Sequence, residues 1–197
     1  MPRIVDAVVL AAGRSSRMGE PKPLLEVDGE PFIERAIRVL REGGCRYVVA
    51  VLNEDADWAQ RLADVAGAAV VMNPNATSEQ LDSLRLGLAA LPADGDGAAV
   101  LPVDFPRLRA ATVAALVDRF AAGDARIVIP DHNGETGHPV LLARTLFAEL
   151  GSASLPEGVR SLLAAHEAEI ERVPVADAGV LLDVDSPDDY RRVTGAA

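Results

Sequence analysis

Small and basic residues are concentrated in one stretch of the chain, residues 10–25 (LAAGRSSRMGEPKPLL), which follows a short apolar run. Small residues allow backbone N–H groups to face a ligand closely, and the cations of this stretch match a polyanion. A buried strand that leads into such a loop is a phosphate-binding arrangement, although this loop has neither the GK[ST] ending of a Walker A sequence nor the spacing GxGxxG. The stretch therefore predicts a site for phosphate groups.

Lys22 is the one lysine among the nineteen lysine and arginine residues of the chain. Lysine offers a compact point charge on a flexible stem, which the planar guanidinium of arginine does not reproduce. A composition this biased has to place its lysine somewhere, so chance is the alternative explanation. The position inside the loop favours a function at the phosphates.

Two aspartates, Asp104 and Asp185, each follow an apolar run, as the glycine-rich loop does. In open α/β sheets, ligands bind outside the carboxyl ends of the strands, so these three segments are expected to converge. Two carboxylates that face a polyphosphate indicate Mg²⁺ or Mn²⁺, which one or two carboxylates hold together with phosphate oxygens and waters. A single aspartate at a strand end more often caps a turn. Asp188 and Asp189 are explained by the dipole of the helix that they begin.

The elements that must position these residues alternate between strand and helix. Apolar runs predict strands over residues 4–10, 47–52, 68–72, 98–103, 126–129, 140–143, 170–175 and 180–184. Amphipathic spacing and helix-boundary residues predict helices over residues 31–42, 57–66, 81–91, 112–122 and 159–167, and a closing helix from Pro187. This alternation predicts an α/β fold of Rossmann type, with a mainly parallel, doubly wound sheet. A hairpin at Asn133-Gly134 and the late strands are expected to form a small antiparallel addition, and residues 1–197 to form one domain.

Composition excludes several classes of protein. The net charge of −11 disfavours a general nucleic-acid or anionic-membrane surface, so neither partner is expected. Cys45 is the only cysteine, which rules out an intrachain disulfide and favours a structural thiol. No signal peptide and no apolar stretch long enough to span a bilayer is evident, which predicts a soluble, cytoplasmic protein.

The loop resembles the signature LAAGxSxRMGxxKxL of the MobA-like nucleotidyltransferases, and most closely that of molybdenum cofactor cytidylyltransferases. The matching residues are Leu10, Ala11, Ala12, Gly13, Ser15, Arg17, Met18, Gly19, Lys22 and Leu24. The resemblance implies that the backbone between Ala12 and Met18 holds the triphosphate, that Arg17 neutralises the departing pyrophosphate and that Lys22 reaches the α-phosphate. The nucleotide-binding residues that it implies are Leu10, Ala11, Ala12, Gly13, Arg14, Ser15, Met18, Gly19 and Ser83.

Four later segments extend the resemblance over nearly the whole chain. LPVDFP and DVDSPDDY resemble the metal-binding motifs GDxP and D[IV]DTPED, which implies Asp104 and Asp185 as metal ligands and Asp183 as a supporting residue. GHPVLL and GVRSLL resemble segments on the acceptor side of the family's site, which implies that His138 and Arg160 contact an acceptor phosphate or pterin. A loop histidine and a solvated helix arginine are the structural alternatives for these two residues.

The sequence departs from the family pattern at two places. The pattern GMxxSLRxGL around the base keeps SLRxGL over residues 83–88, but Glu79-Gln80 replaces its glycine and methionine. Val103 stands in LPVD where the family has a glycine beside the metal. The first change bears on nucleotide preference and activity, and the second is milder.

The function that the resemblance implies is transfer of CMP from CTP to the phosphate of molybdopterin cofactor, with release of pyrophosphate. CTP is expected because cytidylyl members tend to carry LAAG, as here, and guanylyl members LAGG. Three alternatives remain open: a guanylyltransferase, an NTP transferase for another phosphorylated acceptor, and a catalytically weak protein that binds the finished cofactor. Such a protein would deliver the cofactor to a molybdenum hydroxylase apoenzyme as its partner.

Overall fold

The computed structural model describes residues 2–13, 20–53, 67–75, 80–152 and 155–195. Its strands are β1 (Val5–Leu10), β2 (Glu26–Val27), β3 (Glu30–Pro31), β4 (Val48–Asn53), β5 (Ala69–Asn73), β6 (Gly97–Pro102), β7 (Ile127–His132), β8 (Glu135–Thr136), β9 (Val140–Ala143) and β10 (Ile170–Pro174). Its helices are α1 (Phe32–Glu42), α2 (Gln80–Ala89), α3 (Ala110–Ala122), α4 (Phe147–Ser152), α5 (Val159–Ala165) and α6 (Pro187–Thr194).

One large sheet has the strand order β10-β7-β9-β6-β1-β4-β5, with β8 attached to β7, and β2 pairs with β3 separately. Strands β5, β4, β1 and β6 pair in parallel, whereas β9 lies antiparallel between β6 and β7. The predicted mainly parallel α/β fold with a small antiparallel addition is therefore confirmed. One detail of the prediction is wrong: the late strand β10 runs parallel to β7 rather than antiparallel.

Alternate residues of β1 point to opposite faces of the sheet. Both sets are mostly apolar, and helices cover both faces. Val5, Ala7 and Val9 pack in a cluster with buried residues of α1 and α3. Val8 and Leu10 pack in a second cluster with leucines of α2, α4 and α5. A strand that is buried on both faces reads as a continuous apolar run, which is why β1 was predictable from its composition.

Gly87 explains how closely α2 approaches the sheet. A Cβ atom built on this residue would lie 2.4 Å from Val8 Cγ1 and 3.0 Å from Val51 Cγ2, far inside ordinary contact distance. The glycine of the sequence SLRLGL therefore serves the packing of α2 against β1 and β4. This packing fixes the position of Ser83, one turn earlier on the same helix.

The hairpin prediction is confirmed, because Asn133 and Gly134 both have positive φ and join β7 to β8. Strand β9 also pairs with β7, as expected. The predicted strand over residues 180–184 is wrong. The buried carboxylate of Asp177 accepts a hydrogen bond from the backbone N–H of Gly179 and starts a 3₁₀ turn over Ala178–Val180. The predicted helix over residues 57–66 lies outside the described residues.

Cys45 is buried, and burial raises the pKa of its thiol to about 12. A thiol that stays protonated at neutral pH is a poor nucleophile, as expected for a structural cysteine. In the described ranges, no helix combines the length and the apolar character needed to cross a bilayer.

His166 joins three elements through its ring. Nδ1 lies 2.7 Å from Glu169 Oε1 and Nε2 lies 2.9 Å from Glu149 Oε2, on α4. These hydrogen bonds, first that to Glu169 and then that to Glu149, raise the pKa of the His166 imidazole. Glu169, just before β10, also pairs with Arg126 at 2.6 Å. The ring therefore links α4 to the β10 edge of the sheet through two glutamates.

We expect His166→Gln to destabilise the protein more at pH 6 than at pH 9. Because folding raises the pKa of His166, its stabilising contribution is complete below the unfolded pKa of about 6.5 and is lost as pH rises through the folded value. Urea unfolding at both pH values measures the difference in free energy. His132→Gln is the control, since the ring of His132 bonds to the Val175 carbonyl and to Asn133, both neutral. An equal effect of His166→Gln at both pH values would contradict the assignment.

Candidate functional site

The three predicted segments meet at the carboxyl edge of the parallel strands. Backbone hydrogen bonds join them directly: Val103 N–H donates to the Leu10 carbonyl at 3.0 Å, and Val184 N–H donates to the Asp104 carbonyl at 2.9 Å. The second bond holds the segment before Asp185 beside the end of β6, although that segment is not a strand. Residues that are eighty-one positions apart in the sequence therefore become neighbours.

Lys22 lies between the two aspartates. Its Nζ atom is 2.5 Å from Asp185 Oδ1 and 3.4 Å from Asp104 Oδ2. Lys22 begins a 3₁₀ turn, Lys22–Leu24, that follows the glycine-rich loop, so the loop, β6 and the C-terminal segment converge on one cation. The one lysine of the chain thus occupies the centre of the candidate site.

The two carboxylates have different surroundings. The side chain of Asp104 is 22% exposed and that of Asp185 is 60% exposed. Burial raises the pKa of Asp104, the Lys22 ammonium opposes that shift, and the Asp185 charge adds to it. Asp104 Oδ1 is buried without a hydrogen-bond partner among the described residues. A buried carboxylate oxygen without a partner is costly, so Asp104 is suited to a further cation.

These carboxylates fit a hard divalent cation. They already converge on a positive charge, and Asp104 keeps one oxygen available for a ligand bond. Within the described residues, no group of three or more His, Cys, Asp or Glu side chains could hold a metal ion. Mg²⁺ usually takes one or two carboxylates and completes its octahedron with phosphate oxygens and waters. The donor set therefore suits a metal that arrives with a polyphosphate.

The helix α6 fixes the position of Asp185. Ser186 caps this helix, and its side chain and that of Asp189 form a reciprocal capping box. Asp189 also accepts a hydrogen bond from the backbone N–H of Asp185 at 3.3 Å. Asp188 pairs with Arg191 on the same helix. Asp188 and Asp189 therefore serve the helix, as predicted, and leave Asp185 to face Lys22.

A cleft of about 180 Å³, called here the small cleft, runs from Lys22 and Asp104 to α2. Its lining residues are Leu10, Ala11, Ala12, Gly13, Lys22, Pro23, Gln80, Ser83, Pro102, Val103 and Asp104. It thus contains five of the residues predicted to bind nucleotide: Leu10, Ala11, Ala12, Gly13 and Ser83. The other predicted residues, Arg14, Ser15, Arg17, Met18 and Gly19, lie outside the described part of the chain.

Both departures from the family pattern reach this region. Gln80 lines the small cleft, whereas Glu79 lies outside the described residues. Val103 also lines the cleft, and it is only 6% exposed because its side chain packs in the core. The glycine-to-valine difference therefore adds to the core beside Asp104 and leaves the Asp104 carboxylate on the cleft.

A larger cavity of about 820 Å³, called here the large cavity, adjoins the small cleft and shares Leu10, Gln80 and Pro102 with it. His138, Arg160 and Asp183 contribute to its lining, as do Phe105 and Thr136. His138 reaches this edge because β9 is antiparallel, so the residues before β9 lie where the neighbouring strands end. The structure thus brings both predicted acceptor residues to one cavity.

A close backbone crossing holds His138 in place. A Cβ atom on Gly137 would lie 2.0 Å from the Val180 carbonyl oxygen, and His138 N–H donates to that oxygen at 3.0 Å. The imidazole packs against the Phe105 ring with the centroids 4.7 Å apart, and its buried Nδ1 has no hydrogen-bond partner among the described residues. Burial lowers the pKa of His138 to about 4; a hydrogen bond to the Val100 backbone opposes the shift and the Arg160 charge adds to it.

Sequence reasoning missed Asn73, the last residue of β5. Its side chain is 3% exposed and hydrogen-bonds to Ser83 on α2. The available signal was the position of an amide residue at the carboxyl end of a parallel strand, the same position that singled out Asp104. Phe105 was likewise missed as a neighbour of His138.

Comparison with known proteins agrees with this geometry. The model of the MobA-like NTP transferase domain matches residues 7–170. Molybdenum cofactor cytidylyltransferase of Escherichia coli is 24% identical over 94% of this chain and 93% of its own length. A molybdenum cofactor guanylyltransferase of Xanthomonas euvesicatoria is 36% identical, over 56% of this chain and 52% of its own length. Nicotine blue oxidoreductase of Paenarthrobacter nicotinovorans is 28% identical over 96% of both chains.

A solved structure has the same architecture over the whole chain. Rv0371c of Mycobacterium tuberculosis superposes with a TM-score of 0.85 at 30% identity, covering 99% of this chain and all of that one. A manganese complex of the same protein superposes with a TM-score of 0.81 at 29% identity, covering 98% of this chain and 100% of that one.

We expect His138→Gln to reduce the loss of stability in acid. Because folding lowers the pKa of His138 from about 6.5 to about 4, the unfolded chain binds a proton in this window that the native protein excludes, and stability falls as pH drops. The wild-type protein should lose about 2 kcal/mol more than the variant between pH 7 and pH 4.5, by the linkage relation. Urea unfolding at both pH values measures this, with His132→Gln as control. The same acid sensitivity in both proteins would contradict the buried, neutral imidazole.

Proposed function

The chain belongs to the MobA-like NTP transferase family, and we propose that it transfers CMP from CTP to the terminal phosphate of a molybdopterin-type cofactor. The observation that carries the proposal is the convergence of Lys22, Asp104 and Asp185 at the small cleft, which Lys22 and Asp104 line and which shares lining residues with the large cavity. A nucleotide in the cleft and an acceptor in the cavity would then meet beside this cluster.

In the proposed reaction, an oxygen of the acceptor phosphate attacks the α-phosphorus of the nucleotide. A new P–O bond forms, the bond from the α-phosphorus to the bridging oxygen of the β-phosphate breaks, and pyrophosphate leaves with that electron pair. The attacking phosphate needs no strong general base, because a second phosphate pKa of about 6 leaves it ionised near neutral pH. Catalysis then consists of positioning and neutralising charge.

Asp104 and Asp185 would hold a divalent metal, Mg²⁺ or Mn²⁺, which neutralises charge on the phosphates when it is bound. Lys22 would move from the carboxylates to the α-phosphate, since the metal takes over its charge pairing with both aspartates. Arg17, outside the described residues, is assigned to the departing pyrophosphate. The backbone of the glycine-rich loop would hold the triphosphate.

Cytosine is proposed as the base on two grounds. The small cleft is lined by Ala12, and a methyl group at this position would leave less space for a purine than the hydrogen of a glycine. The cytidylyltransferase relative is similar over nearly its whole length, whereas the guanylyltransferase relative is similar over about half of its length. A guanylyltransferase is the alternative with the same reaction and a different base.

The acceptor is proposed to occupy the large cavity, with its phosphate near Arg160 and a heterocycle near His138. Both residues line that cavity, and Nδ1 of His138, which has no partner in the part of the chain that the structure describes, suits a hydrogen bond to a polar ring atom. A molybdenum hydroxylase apoenzyme is the proposed recipient of the product.

The decisive experiment offers molybdopterin cofactor with each of the four NTPs and Mg²⁺, and identifies the product by mass. We expect the cytosine dinucleotide and pyrophosphate, with CTP used at least about tenfold better than GTP in kcat/KM, which is about 1.4 kcal/mol of discrimination. Cofactor binding without pyrophosphate release would instead identify a carrier protein.

Lys22→Ala should lower kcat/KM for the same reaction by roughly two to three orders of magnitude, the scale of losing one electrostatic stabiliser.

A separate prediction concerns the competition between the Lys22 ammonium and the metal ion for the two carboxylates. In the absence of nucleotide, Mn²⁺ has to displace the ammonium from both carboxylates, so Lys22→Met should bind Mn²⁺ about tenfold more tightly than the wild type, a change of about 1.4 kcal/mol. Electron paramagnetic resonance of free Mn²⁺ measures this affinity. Lys22→Arg is the matched control, because it keeps a cation between the carboxylates. Equal Mn²⁺ affinity in wild type and Lys22→Met would contradict the exchange.

A further inference from the structure

Asn73 and Ser83 form a buried polar pair beside the small cleft. Asn73 is the last residue of β5 and Ser83 lies on α2, and the two residues are 3% and 4% exposed. Asn73 Nδ2 lies 2.9 Å from Ser83 Oγ. Ser83 lines the cleft, whereas Asn73 is not among the lining residues. Asn73 is therefore connected to the cleft lining through the Ser83 hydroxyl.

The backbone fixes which way the Asn73 amide points. The backbone N–H of Asn75 lies 3.0 Å from Asn73 Oδ1, and a backbone N–H can only donate. The atom that faces Asn75 must therefore be the amide oxygen, which settles an orientation that is otherwise ambiguous for an asparagine. The NH₂ group consequently faces Ser83 and donates to its hydroxyl oxygen.

This donation determines the direction of the hydrogen bond that the Ser83 hydroxyl can make next. A serine hydroxyl has one proton, and an oxygen that accepts from Asn73 has to send that proton in another direction. Among the described residues, Asn73 is the hydrogen-bond partner of the Ser83 hydroxyl, and it acts as the donor. The hydroxyl keeps its own donor for another partner, and Ser83 lines the cleft.

We infer that Asn73 is a positioning residue that makes Ser83 a hydrogen-bond donor to the base and so selects cytosine over guanine. This inference rests on the proposed function. On its pairing edge, cytosine presents two acceptors, O2 and N3. Guanine presents two donors at the corresponding positions, N1–H and the 2-amino group, and its acceptor O6 lies where cytosine has its 4-amino group. A donor in the cleft pairs with the first edge and leaves an unsatisfied contact with the second.

Asn73→Asp tests the inference because it keeps the size of the side chain and reverses the hydrogen bond. A carboxylate at this position can only accept, so the Ser83 hydroxyl has to donate to it and turns its lone pairs to the cleft. We expect the ratio of CTP affinity to GTP affinity, measured by calorimetry at pH 8 with Mg²⁺ and no acceptor, to fall at least tenfold. The added negative charge repels both nucleotides alike, so the ratio of the two affinities reports only the reversed direction of the Ser83 hydrogen bond.

Two further variants separate the possible outcomes. Ser83→Ala removes the hydroxyl, so it should weaken CTP binding and abolish the effect of Asn73→Asp in the double variant. Asn73→Ala frees the hydroxyl to rotate and should lower the ratio by less than Asn73→Asp does; it replaces Asn73→Asp if the aspartate variant melts at a much lower temperature.

An unchanged ratio in both Asn73 variants would overturn the inference, as would Ser83→Ala with wild-type affinity for both nucleotides. Neither outcome would affect the proposed function as long as the wild type forms the cytosine dinucleotide. A wild-type protein that binds neither nucleotide would instead overturn the proposed function itself.

Discussion

The candidate site depends on one charge balance: the ammonium of Lys22 between the carboxylates of Asp104 and Asp185. Two carboxylates from distant segments repel each other, and one of them is mostly buried, so this edge needs a cation. The need is sharper in a chain whose net charge is −11. A compact ammonium on a flexible stem can pair with carboxylates and can also move to a phosphate, which gives a physical reason for a lysine at this position in a chain that otherwise uses arginine.

The sheet explains why three distant segments can share that cation. Parallel strands end at one edge, so the glycine-rich loop after β1 and Asp104 after β6 are neighbours by topology. The antiparallel direction of β9 brings His138, two residues before this strand, to the same edge. Asp185 arrives differently: a backbone hydrogen bond from Val184 to Asp104 and the cap of α6 hold it, without a strand. The site therefore combines strand ends, a reversed strand and a tethered loop.

Similarity over the full chain fixes the architecture more firmly than the activity. Relatives that cover nearly the whole chain carry different activity names, and a fold can host several chemistries. What points to nucleotidyl transfer is a set of local features. The Lys22 ammonium lies between two carboxylates and lines the small cleft, this cleft shares residues with the large cavity, and a buried amide donates a hydrogen bond to a hydroxyl of the cleft lining. Each of these features depends on which side chains are present. The fold determines where those side chains lie but not their identities.

The sequence by itself determined the α/β class, most strands and helices, the hairpin at Asn133-Gly134 and the residues around Lys22. These are local properties, because a strand that is buried on both faces is a continuous apolar run and a tight turn needs particular residues. Only the tertiary structure decided that β10 is parallel and that residues 180–184 are not a strand, where the buried Asp177 carboxylate starts a turn instead. It also decided that Lys22 pairs with both aspartates and that Asn73 is hydrogen-bonded to Ser83. Those contacts join residues from different elements, and spacing along the chain carries no information about which side chains meet across them.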